Sequence, residues 1–260
     1  MSSFPSIFVS HGAPDLPLHT CPASDFLKHL GNQLGKPKAI LVVSAHWFSP
    51  VPTVITAPEA RTVHDFWGFP DEIYQLDYPA PGAPELAERV TKCLANAGFE
   101  FDLYPTRGLD HGAWEPLLLM YPNADIPVTQ LSLQPQFDPT YHFKLGQAIA
   151  PLRQEGVLIL ASGTTTHNLM AFGGYPFDAL PPDWVQAFDR WLAEAISSNE
   201  VDALLNYRRQ APYATKNHPT EDHLLPLFVA LGAGGEKAKG TQLHSSFTYG
   251  VFSMASYAFE

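Results

Sequence analysis

The stretch AILVVSAHW, residues 39–47, decides the fold. Five apolar residues, two of them β-branched valines, run without a polar break and stop at Ser-Ala-His. A run this short and this uniformly apolar reads as a strand covered on both faces, the kind found in parallel sheets. SIFVSHG (6–12) and VLILASG (157–163) have the same form, and IPVTQLSL (126–133) is a fourth. FEFDLYP (99–105) reads as a shorter strand-like segment. Between them, apolar residues recur at three- and four-residue spacing in 24–34, 84–98, 140–153, 183–196 and 222–233, as amphipathic helices require. Strands alternating with helices predict an α/β fold, a single domain spanning 1–260 with a central largely parallel or mixed sheet flanked by helices on both faces. Residues 62–84, rich in aromatics and proline, predict a long ordered loop over a site, and the last twenty residues a terminal strand pair.

Bulk composition narrows the function classes. Of 260 residues, 45% are hydrophobic and 16% charged, enough for a sizeable core. The net charge of -11 and the lack of any Lys/Arg cluster beyond Arg208–Arg209 argue against nucleic acid and anionic membranes as partners. Two cysteines, Cys21 and Cys93, with no CxxC pairing, fit a reducing, cytoplasmic setting. No basic leader with an apolar core opens the chain, and no apolar run reaches about 20 residues. Dinucleotide, P-loop and hydrolase-elbow signatures are missing from the sequence. Oligomeric state is left open.

Eleven histidines stand out. Ligands of open α/β sheets bind beyond the carboxyl ends of the strands, and His11, His46 and His167 each lie at or just past such an end. Neutral imidazole is a common metal ligand, and a site needs at least three ligands from different elements. His11 and His46, flanked by small residues, qualify; the third is His167, His218 or His223, the last opening an apolar helix. His111 lies in a loop within DHGAWEPL (110–117), and His64 and Asp65 lie in HDFWGFP (64–70). His19, His29 and His142 read as solvated, on a loop or on exposed helix faces, and His244 belongs to the terminal strands.

SHGAP (10–14), SAHW (44–47), HDFWGFP (64–70), YPAPGAP (78–84), LDHGAWEPL (109–117), SGTTTHNL (162–169) and HPTEDHLLPL (218–227) occur in that order. Together they resemble the class III extradiol ring-cleaving dioxygenases of the DOPA dioxygenase type, over nearly the whole chain. The resemblance implies an enzyme that opens a single-ring, DOPA-like catechol beside its hydroxyls with dioxygen, at a non-haem iron(II). It assigns the metal to His11, His46 and His223. His223 stands where the wider superfamily has a glutamate, which makes zinc(II) possible as the bound metal too. It also implies that His167 is the general base and His111 a second catalytic histidine. Expected substrate contacts are His218, Trp47, His64 and Tyr74, with Phe66 and Trp67 as further stacking candidates. The alternatives are a zinc-binding, non-redox metalloenzyme or a non-catalytic metal- or peptide-binding protein on the same scaffold.

Overall fold

The computed structural model describes residues 3–235 and 238–260. The four predicted strands form its centre: β1 (Ser6–Ser10), β2 (Ala39–Phe48), β7 (Val128–Leu133) and β8 (Val157–Gly163). The short strands β3 (Thr53–Ile55) and β6 (Asp102–Tyr104), with β9 (Gly240–His244) and β12 (Ser256–Phe259), complete an eight-stranded sheet of order β6-β3-β7-β2-β8-β1-β12-β9. Two small ribbons, β4 (Glu59–Ala60) with β5 (Ala80–Pro81) and β10 (Phe247–Thr248) with β11 (Phe252–Ser253), lie outside it. The block β7-β2-β8-β1 is parallel, while β3 runs antiparallel to β7 and β12 to β1, so the sheet is mixed.

Strand alternation divides the core into two layers. Phe8, Leu41, Val43 and Ile159 face α2 (Pro84–Asn96), α4 (Pro139–Ile149), α5 (Asp183–Ser197) and α9 (Leu225–Gly234). Ile7, Val9, Ile40, Val42, Leu158 and Leu160 face α1 (Pro22–Leu34) and α3 (His111–Met120). Three short helices, α6 (Val201–Leu205), α7 (Tyr207–Gln210) and α8 (Ala214–Asn217), lead back to α9. Helix α9 is apolar all round and buried throughout most of its length. It meets α4 so closely that a Cβ at Gly232 would lie 2.0 Å from the Phe143 carbonyl oxygen. Among the described residues, no helix is long and apolar enough to cross a membrane.

Four local expectations are corrected. His46 lies inside β2, two residues before its end, rather than past it. His111 opens α3, a helix disguised in the sequence by Gly112 and Pro116. The last helix starts at Leu225, so His223 sits in the turn before it. Just before that turn, Glu221 pairs with Arg208 and accepts a hydrogen bond from the Tyr207 hydroxyl. His142 is fully buried, not solvated. Its Nδ1–H donates to the Asp138 carbonyl at 2.9 Å and its Nε2 accepts from the Gln134 N–H at 3.3 Å.

Candidate active site

Three strand ends and one turn bring the histidines together. His11 follows β1, where its backbone N–H donates to the Gly163 carbonyl at 2.9 Å. His223 is held by the neighbouring strand end: its carbonyl accepts from the Thr164 N–H at 2.9 Å. The turn passes so close that a Cβ on Gly163 would come within 2.2 Å of that carbonyl oxygen. From the far side α3 presses Gly112 into the site. A Cβ there would stand 2.4 Å from Ser44 Oγ, 3.0 Å from the His46 ring and 3.1 Å from the His11 ring.

The imidazoles of His11, His46 and His223 converge through Nε2, with His46 3.1 Å from each of the other two. Their opposite nitrogens point outward. His11 Nδ1 lies 2.8 Å from Ser162 Oγ, and His223 Nδ1–H donates to the Asp222 carboxylate at 2.5 Å. His46 Nδ1 is 3.9 Å from an Asp65 oxygen. A hydrogen on Nδ1 leaves the inward Nε2 as a lone-pair donor. Burial first, then the crowding of neighbouring imidazoles, pushes the proton affinity of all three well below the ordinary histidine value. The rings are therefore neutral at physiological pH, the form that ligates metal. Nitrogens about 2.1 Å from one ion at near-tetrahedral or octahedral angles sit roughly 3.0–3.4 Å apart, so this donor set fits a metal ion. His46–Asp65–His111 and His167–Asp222–His223 also bring ligand atoms close enough to share an ion. In those two groups, however, the carboxylates are already engaged by histidine N–H donors.

His111 and His167 flank this cluster. One Asp65 oxygen accepts from both the His111 backbone N–H, at 3.0 Å, and its Nδ1–H, at 2.9 Å, which fixes the ring 3.8 Å from that of His46. Burial raises the Asp65 carboxyl, but hydrogen bonding and charge from His111 outweigh it and hold the group at about 2. His167 stacks on His223 with centroids 3.4 Å apart and rings nearly parallel, while Phe252 covers its other face at 5.5 Å. Burial lowers His167 to about 4; nearby His111 adds to the effect and Asp222 opposes it. Behind the cluster, buried Asp110 accepts from Ser44 Oγ and Gln130 Nε2, both at 2.6 Å, and Ser44 Oγ in turn accepts from the His46 N–H. This network anchors the end of β2.

His46, His111, His167 and His223 line a cavity of about 430 Å³ whose other walls are mostly apolar. A larger hollow of about 680 Å³ beside Arg153 contains none of these groups, and the Arg153 guanidinium is already taken by carbonyls of Phe4, Ala233 and Gly234. The predicted loop 62–84 does cover the site, through Phe66, Trp67 and Phe69.

The four expected substrate contacts fall behind that wall instead of on it. Trp47, one residue beyond His46 in the irregular end of β2, packs against Tyr104 and beneath Arg107, off the cavity lining. His64 bonds the Leu76 carbonyl at 3.0 Å, and Tyr74 packs behind Phe66 at 5.2 Å. His218 is turned inward by the end of α8, with Nε2–H donating to the Thr165 carbonyl at 2.8 Å and the ring packed against Phe188. His244 stacks on Phe26, outside the cavity lining. Sequence reading missed the opposite wall: Leu169, Phe172 and Phe252. Its only signal is the apolar run LMAF in the polar loop after β8.

A neutral three-imidazole cluster beside two further histidines, in an apolar pocket at the ends of parallel strands, is built for metal-dependent chemistry on an apolar or aromatic substrate. The family model described as "Catalytic LigB subunit of aromatic ring-opening dioxygenase" matches residues 2–260, and the chain belongs to that family. Dioxygenases of this family use a non-haem metal. Among its relatives is a 4,5-DOPA dioxygenase extradiol of Beta vulgaris, 44% identical over 98% of this chain and 96% of that protein. The Mirabilis jalapa protein of the same name is 44% identical over 86% and 84%, and that of Escherichia coli K12 38% over 88% and 84%. A crystal structure of an uncharacterized E. coli K12 protein superposes with a TM-score of 0.82 at 32% identity, covering 99% of this chain and 100% of that one. The chain is an aromatic ring-opening dioxygenase.

Proposed function

We propose that this dioxygenase opens the ring of a single-ring catechol, the substrate type named for its relatives, at an iron(II) held by His11, His46 and His223. The observation that carries the reading is the meeting of three neutral Nε2 donors, 3.1 Å apart across His46, at the floor of an apolar cavity. Bound there, iron would supply redox chemistry that brings catechol and dioxygen together; zinc, with one accessible oxidation state, would not.

The surrounding residues handle protons and position. A catechol must shed its hydroxyl protons to bind through both oxygens. Burial keeps His167 neutral at physiological pH, so a ring nitrogen can accept one of them. Its stack against His223 keeps that nitrogen next to the metal-binding rings. His111 has Nδ1–H committed to Asp65, which leaves Nε2 as an acceptor beside the His46 ring. Phe66 and Phe252 offer faces to an aromatic ring and exclude water.

Anaerobic iron(II) loading followed by catechol and air tests this. A yellow ring-opened product is expected. His223→Ala should lose the metal, whereas His167→Ala should keep it and lose turnover. Stoichiometric metal in His223→Ala refutes the ligand assignment. Failure of the iron-loaded protein to open any of a catechol panel refutes the substrate class.

A further inference from the structure

We infer that His218, with Asn168 beside it, is a positioning residue for the ring-opening reaction: it clamps the loop that carries His167 to the segment that carries His223. The inference rests on the roles proposed above for those two histidines. Residues 164–168, after β8, run alongside residues 216–223, before α9, in the opposite direction. Four hydrogen bonds join them in order. The Thr164 N–H donates to the His223 carbonyl at 2.9 Å, and His218 Nε2–H to the Thr165 carbonyl at 2.8 Å. The His167 N–H donates to the Asn217 carbonyl at 3.0 Å, and Asn168 Nδ2–H to the Lys216 carbonyl at 2.6 Å. His167 and His223 stand on different rungs of this ladder, yet their rings stack with centroids 3.4 Å apart and planes within 5°. Between the two rungs the second segment bows out through exposed Pro219 and Thr220, and the His218 side chain bridges the gap.

Packing alone does not account for His218. Its ring is fully buried against Phe188 and Tyr207, where an apolar ring would fit without a polar cost. Burial pushes His218 down to about 3, against the opposing hydrogen bond to Thr165, so the imidazole carries a single hydrogen. The Thr165 carbonyl takes that hydrogen, and Nδ1 is left without a protein partner among the described residues. A buried acceptor kept at that cost points to the N–H donor as what the position supplies. The bond fixes the peptide after Thr165, two residues before His167. Threonine hydroxyls hold the same loop from its other side: Thr165 Oγ1–H donates to the Ser253 carbonyl at 3.1 Å and Thr166 Oγ1–H to the Val251 carbonyl at 2.9 Å. His223 has anchors of its own in Asp222 and the Thr164 N–H, so loosening the clamp moves the base relative to the ligand more than it moves the ligand. A misplacement of about 1 Å at a reacting group costs about 100-fold in rate.

His218→Phe keeps a ring and loses the donor, whereas His218→Gln keeps an N–H at similar reach. In zinc-loaded protein with isotopically labelled histidine rings, NMR cross-peaks between the His167 and His223 rings are expected in the wild type and in His218→Gln, and are expected to vanish in His218→Phe. Calorimetric titration should find zinc affinity unchanged in both variants. With iron(II) and DOPA, kcat of His218→Phe should fall by about 10–100-fold with little change in KM, and His218→Gln should recover most of that loss. Asn168→Ala cuts the outermost rung and should weaken the same cross-peaks, so it carries the test if His218→Phe does not fold. Intact cross-peaks in His218→Phe, or in Asn168→Ala where the first does not fold, overturn the inference. Wild-type kcat in His218→Phe overturns it too, as does a His218→Gln protein no better than His218→Phe. If the wild type opens no catechol while the cross-peaks behave as stated, the catechol reading fails and the clamp stands.

Discussion

Gly112→Ala adds a single methyl group to the back of the histidine cluster. The new carbon would lie 2.4 Å from Ser44 Oγ and 3.0 and 3.1 Å from the His46 and His11 rings. None of these neighbours can step aside freely. Ser44 donates to buried Asp110 at 2.6 Å and accepts from the His46 N–H, and the His11 ring is bound to Ser162 at 2.8 Å. Overpacking of this kind costs roughly 1–3 kcal/mol. At about 2–4 °C per kcal/mol for a chain of this size, thermal unfolding should shift down by roughly 2–12 °C. The larger effect falls on the site, because moving two of the three proposed ligands by a few tenths of an ångström spoils their common focus. Metal affinity should drop by about 10–100-fold, the range seen when groups that orient ligands are disturbed. Calorimetric titration with zinc, paired with thermal unfolding, measures both. Gly174→Ala is the control, since its added carbon would meet only an ordinary contact at 3.4 Å. Wild-type metal affinity in Gly112→Ala would refute the idea that α3 is packed against the ligands to set their geometry.

Three further outcomes follow from the same structure. Asp222→Asn leaves an acceptor for His223 Nδ1–H but removes the charge, and metal affinity should fall by about tenfold with little change in fold, checked by zinc titration. Burial lowers His142 to about 4 from its ordinary 6.5, so between those values the unfolded chain binds more protons than the folded one. Metal-free stability should therefore decline as pH falls through that window, by up to about 3 kcal/mol from this group, and His142→Gln should flatten the slope in urea titrations. Glu115 is fully buried with neither carboxyl oxygen partnered, and burial, reinforced by Asp15 and Asp65, holds its pKa well above the ordinary value. Its proton is lost more readily from the unfolded chain, so its cost to stability grows as pH rises past the ordinary glutamate range. Glu115→Met should stabilise the protein by about 1–3 kcal/mol at pH 8 and by less at pH 5.

The parallel block was legible because its strands are uniformly apolar and end in recognisable residues. The histidines near those ends were equally plain: His11 and His167 follow β1 and β8, and His46 lies near the end of β2, at the level where an α/β sheet builds its sites. Helix α3 was hidden because its first turn carries glycine and its sixth residue is proline, so periodicity alone reads it as a loop. The misplaced substrate contacts have a common cause. Trp47, His64, Tyr74 and His218 are aromatic and adjacent to site motifs, but which side of a strand or loop each occupies depends on packing among distant segments. Phe252 reaches the site from the far end of the chain, a contact that no local pattern announces. Asp65 and Asp222 show the same limit: their pairing with His111 and His223 is tertiary geometry, although both acids stand next to site residues in sequence.

The central claim is that His11, His46 and His223 hold the iron at which dioxygen is joined to a catechol ring. Turnover of the iron(II)-loaded protein under isotopically labelled dioxygen tests it most directly, with mass spectrometry of the product and His223→Ala beside the wild type. Both labelled oxygen atoms should appear in a ring-opened product of the wild type, and the variant should retain neither iron nor activity. An unlabelled quinone from the wild type, or full labelling by the variant, would contradict the account.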